Sequence, residues 1–331
     1  MKTSPFDLND SDRQIWEEDL ADFVPARIFD AHCHMFSQSH MRPGAEPSTR
    51  NDEDFTTHVK WAQLLFPGRQ LSCLVLGMPL RGIDPDRHNT FVAEQVARGP
   101  GWRANRLVTP ACTTAQIERD IKSGGFIGLK PYRIYSVTGD SHNCRIHEFL
   151  THEQMELADQ LGLWVTMHLA RPHACADEHN LKDLQEYTNK RYPRIKWILA
   201  HCARSFTYWP IRQAVDRLRD IPNIWYDLSA VTNVHPHLTL FQKEDLKRIF
   251  YGSDGVNATG FHGKYAVFGR YWFQVDPGEE GYGYAHTEAR PIMAIYEQVL
   301  AMKQAADIAG LSRDDVERIF WRNAVEALEI E

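Results

Sequence analysis

Eight short apolar runs recur along the chain, and polar or amphipathic stretches separate them. They are "RIFDAHCH" (27–34), "LSCLVLGMP" (71–79), "ANRLVTPACT" (104–113), "GFIGLKPY" (125–132), "LGLWVTMHLA" (161–170), "RIKWILAHCA" (194–203), "NIWYDLSA" (223–230) and "RIFYGSDG" (248–255). Their near-continuous hydrophobic character suits parallel strands buried on both faces. The intervening stretches carry helix signals. "THEQMELADQLG" opens on Thr151 as an N-cap and stops at Gly162, and "TTAQIERDIKSGG" runs from Thr113 or Thr114 to Gly124 and Gly125. Repeated strand–helix alternation implies right-handed βαβ units. Eight units predict an α/β fold, a closed (β/α)8 TIM-like barrel. A doubly wound open sheet is the alternative, but no Gly-x-Gly-x-x-Gly turn follows the first strand.

The length of 331 residues suits one such barrel domain spanning 1–331. The excess over a minimal barrel is localised. Residues 1–26 form a leader with a predicted helix over 12–22 capped by Ser11. Residues 35–70 follow the first strand, and residues 255–288, rich in Gly and Tyr, follow the eighth. Both insertions leave the C-terminal ends of strands, where barrel active sites are built, so both are candidate lids.

Composition narrows the function. A 43% hydrophobic content supports a sizeable core, and a net charge of −7 argues against a nucleic-acid partner. No apolar run is long enough to span a membrane. The N-terminus is acidic and lacks an apolar signal core, so a cytoplasmic location is expected. Six dispersed cysteines contain no Cys-x-x-Cys and read as reduced, mostly buried thiols. A small-molecule substrate is the expected partner, and a homo-oligomer is left open.

The polar residues within the apolar runs carry the chemistry. In "IFDAHCHMF", Asp30, His32 and His34 alternate along a strand and so share one face, with Cys33 on the other. His168, His201 and Asp254 close runs five, six and eight, and Lys130 closes run four. In a barrel these ends converge on one face. One histidine on an apolar strand is usually a hydrogen-bonded core residue. Four at strand ends with an aspartate point to a divalent metal site. Asp30 is placed to orient a histidine by a hydrogen bond. Arg133, Arg171 and Arg204 each lie three residues beyond a strand-end polar group, and a guanidinium there suits a substrate carboxylate. Cys33 and Cys202 are expected to pack against outer helices. His173 and His262, in loops, are the background histidines nearest to a substrate role.

This constellation resembles the amidohydrolase superfamily from Ile28 to the closing "IFWRNAVEALEI" segment. It is most similar to the amidohydrolase-related branch that holds both hydrolases and metal-dependent decarboxylases. The resemblance implies that His32, His34, His168 and Asp254 hold a metal, Zn2+, Mn2+ or another divalent ion. It implies that His201 is either a ligand of a second ion or a catalytic hydrogen-bonding group. In two-metal members a carboxylated lysine at the position of Lys130 bridges the ions; in single-metal relatives such a lysine binds substrate or pairs with acids. One ion is expected, with two as the alternative. The expected activity is hydrolysis of a small amide, lactone or ester by metal-activated water, with Asp254 as proton carrier and His201 stabilising charge. The alternative is non-oxidative decarboxylation of an aromatic or unsaturated acid on the same barrel. A non-catalytic metabolite-binding barrel with a structural ion is a third reading, and the open ligand set argues against it.

Overall fold

The computed structural model describes residues 8–123, 125–263, 265–274 and 291–330. Eight strands appear in the expected order: β1 (Arg27–Cys33), β2 (Gln70–Leu76), β3 (Arg103–Val108), β4 (Phe126–Pro131), β5 (Trp164–Met167), β6 (Lys196–Leu199), β7 (Ile224–Asp227) and β8 (Ile249–Phe250). Each pairs in parallel with the next along the chain. Between β8 and β1, Ala31 N–H donates to Tyr251 O at 2.9 Å and Asp254 N–H donates to His32 O at 2.7 Å. Sequential order with that last seam makes a (β/α)8 barrel and rules out the open sheet.

The strands are buried almost throughout, as their apolar character requires; only the first residue of β1 and of β2 is exposed. Val108, Leu129, Val165, Met167 and Trp197 belong to the main apolar core shared with the surrounding helices. Ala324 and Leu328 at the C-terminus pack with Phe29, Leu74, Ile198 and Phe250.

Several predicted runs overshoot the strands they contain. His168, His201 and Asp254 lie beyond the last residues of β5, β6 and β8. The reason is visible at β8, where the backbone of Asp254 bonds to His32 O on β1 instead of extending the β7–β8 ladder. The leader helix begins earlier than expected, at Asp10, and Asn9 rather than Ser11 caps it. The Asn9 side chain accepts from Asp12 N–H, and Asp12 returns the bond to Asn9 N–H, both at 2.8 Å. Asp12 also accepts from Met293 N–H and from His262 Nε2, so this cap ties the leader to the C-terminal part of the chain.

The insertion after β1 folds into a helix over Phe55–Leu65 preceded by an irregular loop. The insertion after β8 gives a short turn at Val256–Thr259 and an antiparallel hairpin of β9 (Tyr265–Phe268) and β10 (Tyr271–Gln274). The Gly/Tyr-rich part of that predicted lid falls outside the described residues. Among the described residues no helix is long and apolar enough to cross a membrane.

Candidate active site

A cavity of about 210 Å³ opens at the C-terminal ends of the strands. His32, His34, Lys130, His168, His201 and Asp254 all line it. The structure therefore gathers, from five strand ends, every residue expected to hold or neighbour a metal. The tightest group is His32, His201 and Asp254, whose ligating atoms lie within 4.8 Å of one another. Asp254 Oδ1 is 3.2 Å from His32 Nε2 and 3.7 Å from His34 Nε2. His168 packs edge-on to His201 at 5.2 Å between ring centroids.

Three of the rings are fixed by their Nδ1 atoms. His32 Nδ1–H donates to Asp227 Oδ2 at 2.8 Å, His34 Nδ1–H to Leu76 O at 2.9 Å, and His201 Nδ1–H to Ser229 O at 3.0 Å. Carbonyl and carboxylate oxygens only accept, so each Nδ1 keeps its proton. In the neutral form each ring then carries its lone pair on Nε2. This is the tautomer that metal-ligating histidines require. Among the described residues, Lys130 Nζ and His168 Nδ1 are buried without a hydrogen-bond partner. This donor set, with buried polar atoms left unpartnered beside it, fits a divalent ion.

Local backbone geometry aims these groups. His201, Cys202, Ala203 and Arg204 all have positive φ, between 50° and 59°, in one left-handed turn closed by Ser205 N–H to His201 O at 2.8 Å. Asp254 has φ 66°, and Gly255 follows with φ 76°. A Cβ on Gly255 would sit 3.0 Å from His34 N, so this position needs glycine for both space and conformation.

Burial and neighbouring charge set the protonation states. Burial and the nearby His32 push His34 well below the ordinary imidazole range, and burial and His201 do the same to His168. Burial opposes charge on His32, but Asp227 and Asp254 together offset it and raise the ring. Burial also opposes ionisation of Asp254, yet His201, His32 and His34 hold it well below the usual carboxylate range. Lys130 is lowered to about 8 by burial, against the pull of Asp227 and Asp254.

The cavity wall adds cations and aromatic rings. Arg133 and Arg204 line it, while Arg171 does not. Arg171 turns away with φ 67° and pairs with Asp177 at 2.8 Å. Burial and the adjacent Arg133 push Arg204 down to about 10. Arg50, from the insertion after β1, joins the lining, as do Tyr132, Phe206, Tyr265 and Trp272. Phe206 and Trp272 stack at 4.2 Å. Neither His173 nor His262 lines the cavity: His173 packs on Trp209, and His262 is held by Asp12.

Asp30 departs from its expected role. Its carboxylate accepts from His32 N–H at 3.0 Å, Ser253 N–H at 2.9 Å and Ser253 Oγ at 2.5 Å, so it shapes the Asp254 loop and, among the described residues, hydrogen-bonds to no imidazole. The orienting carboxylate is Asp227, which sequence reasoning missed. Its only signal was its place directly after the apolar "IWY" of run seven, matching the other strand-end polar residues.

Residues 30–330 match the family model described as amidohydrolase, and the chain belongs to that family. It is an enzyme of the superfamily, whose members typically use a divalent metal. A search of curated proteins finds no match. Among solved structures, the chain is similar to a probable 2-pyrone-4,6-dicarboxylic acid hydrolase from Acinetobacter baumannii with citric acid bound. That pair has 14% identity and a TM-score of 0.54, covering 90% of this chain and 98% of that one. It is also similar to 5-carboxyvanillate decarboxylase from Sphingomonas paucimobilis, with 13% identity, a TM-score of 0.53 and coverage of 93% and 100%. A third similar structure is a dihydroxybenzoic acid decarboxylase from Polaromonas sp. JS666 with bound manganese and 2-nitroresorcinol, with 14% identity, a TM-score of 0.54 and coverage of 92% and 97%. At these identities the likeness shows the shared fold.

Proposed function

We propose that the protein is a metal-dependent hydrolase of a small amide, lactone or ester that carries a carboxylate. The observation that carries this reading is the convergence of the Nε2 atoms of His32 and His34 on the Asp254 carboxylate, with His201 in the same cluster and the Nδ1 atom of each ring already committed elsewhere. His32, His34, His168 and Asp254 would hold one divalent ion. When bound, such an ion acidifies water and polarises a substrate oxygen.

The chain's own residues supply the remaining steps. Asp254 is ionised and is the part-exposed member of the group, so it takes the proton of the attacking water and delivers it to the leaving atom. His201 presents a lone pair in its neutral form and serves as a further ligand or proton acceptor. Charge on the attacked carbonyl is then left to the ammonium of Lys130, whose buried Nζ has no protein acceptor among the described residues. Arg133 and Arg204, side by side, grip the substrate carboxylate.

The aromatic wall supports a second reading, decarboxylation of an aromatic acid. Tyr132, Phe206, Tyr265 and Trp272 suit a flat ring whose carboxylate faces the arginines. One assay separates the two. Protein with and without chelator is offered carboxylate-bearing lactones, amides and esters, beside a panel of aromatic acids monitored for carbon dioxide. Chelator-sensitive ring opening or acid release without carbon dioxide is expected; carbon dioxide release alone would replace the hydrolase with the lyase.

A further inference from the structure

On the opposite face of β1 from the two cavity histidines, three soft donors meet in a separate buried group. Cys33 Sγ, Cys73 Sγ and His58 Nε2 lie within 4.8 Å of one another, and all three residues are buried. Cys33 stands between His32 and His34, Cys73 is on β2, and His58 comes from the helix Phe55–Leu65. Cys73 Sγ and His58 Nε2 are 3.4 Å apart. His58 Nδ1–H donates to the fully buried Glu53 at 2.7 Å, and the other Glu53 oxygen accepts from Asn257 Nδ2 at 3.0 Å.

From this juxtaposition we propose a second metal site, formed by Cys33, Cys73 and His58 and suited to a thiophilic divalent ion of the zinc class. The donor types are those of zinc–thiolate sites. The Sγ–Nε2 separation is near the roughly 3.6 Å that a tetrahedral ion with usual Zn–S and Zn–N bonds imposes. The Glu53–His58 bond keeps the proton on Nδ1 and turns the Nε2 lone pair toward the thiols, the carboxylate–histidine–metal arrangement. Charge also balances: binding expels two protons from the Cys33, Cys73 and His58 group as one dication enters, and the buried net charge is unchanged. The ion would join β1, β2 and the helix within the first insertion directly behind the cavity histidines. A hydrogen-bonded chain from Glu53 through His58 to Cys73, with no ion, is the competing account.

Cobalt distinguishes them, because no cysteine is among the described residues that line the cavity. Wild-type protein refolded from denaturant with Co2+, so that burial does not block entry, should show a thiolate-to-cobalt charge-transfer band in the near ultraviolet. The band should persist in His34→Ala and disappear in Cys73→Ser and in Cys33→Ala, each with one equivalent of metal fewer than wild type. A wild-type spectrum with nitrogen and oxygen ligand-field bands alone, or with no cobalt bands, overturns the site. That reading needs no variant to fold, and it is independent of whether the cavity enzyme is a hydrolase.

Discussion

One buried carboxylate serves two cavity histidines: Asp227 accepts His32 Nδ1–H at 2.8 Å and, with its other oxygen, the backbone N–H of His201 at 3.1 Å. The second oxygen also accepts from Ser229 N–H and Ser229 Oγ. The same anion thus sets the tautomer of one ring and the entry of the chain into the left-handed turn at 201–204. Left-handed residues with side chains cost about 1–2 kcal/mol each. A turn of four persists only where surrounding bonds over-determine it, and such strain concentrates at active sites.

Asp227→Asn should weaken metal binding by about 10–100-fold, the scale for losing the hydrogen-bond partner of a ligating histidine. Asn can still accept from the His201 and Ser229 backbone. Toward His32 its amide would donate, forcing the imidazole proton onto Nε2 and removing the lone pair. A metal titration monitored beside thermal unfolding checks this; unchanged affinity in a folded variant would limit Asp227 to shaping the turn.

Asp254→Asn keeps the size and one oxygen but cannot carry a proton. It should retain some metal yet lose roughly 10²-fold or more in turnover, the usual scale for a general acid–base. Metal content and turnover number are measured on the same preparation. Near-normal turnover with metal bound would transfer the proton to His201.

Lys130→Met should cut turnover by about 10²–10³-fold, as expected when one preorganised charge stabiliser is removed. Metal stoichiometry separates the two roles for this lysine. If a carbamate on Lys130 bridges two ions, Lys130→Ala should lose an ion and regain partial activity with short carboxylic acids. If one ion is held, the ion remains and the acids give no rescue.

Acid stability should fall through His237. Burial lowers this ring from 6.5 to about 4, and its Nε2–H donates to Val231 O at 2.8 Å. Between those values the unfolded chain binds a proton that the native chain refuses, so stability is full above pH 6.5 and declines as pH drops toward 4. The difference between pH 7 and pH 5 is about 2 kcal/mol from this group. Denaturant unfolding of wild type and His237→Gln at both pH values tests it: the variant should show a pH difference smaller by that amount.

The barrel and the gathering of its strand-end polar residues at one mouth were legible because both depend on local pattern. Apolar runs of strand length mark the strands, and polar residues closing them converge on one mouth whatever the detailed packing. Residue alternation was enough to place His32 and His34 together and Cys33 behind them. The three arginines show where that reasoning stops. Arg133, Arg171 and Arg204 share the same spacing from a strand-end group, yet Arg171 turns outward to Asp177 while the others face the cavity. Spacing along the chain does not encode the path a loop takes once it leaves the sheet.

By itself, the sequence determined the strand order, the parallel sense and the histidines, lysine and aspartate at the mouth, since periodicity and position along each run suffice for those. Tertiary structure alone decided which atoms of those residues are free to act. Asp227 reaches His32 across the closed barrel, Leu76 O and Ser229 O capture the Nδ1 protons of His34 and His201, and His58 comes from a distant helix to meet Cys33 and Cys73. Hydrogen-bond partners of this kind are fixed by closure of the barrel and by loop trajectories, and both are sums of many weak contacts between residues far apart in the chain.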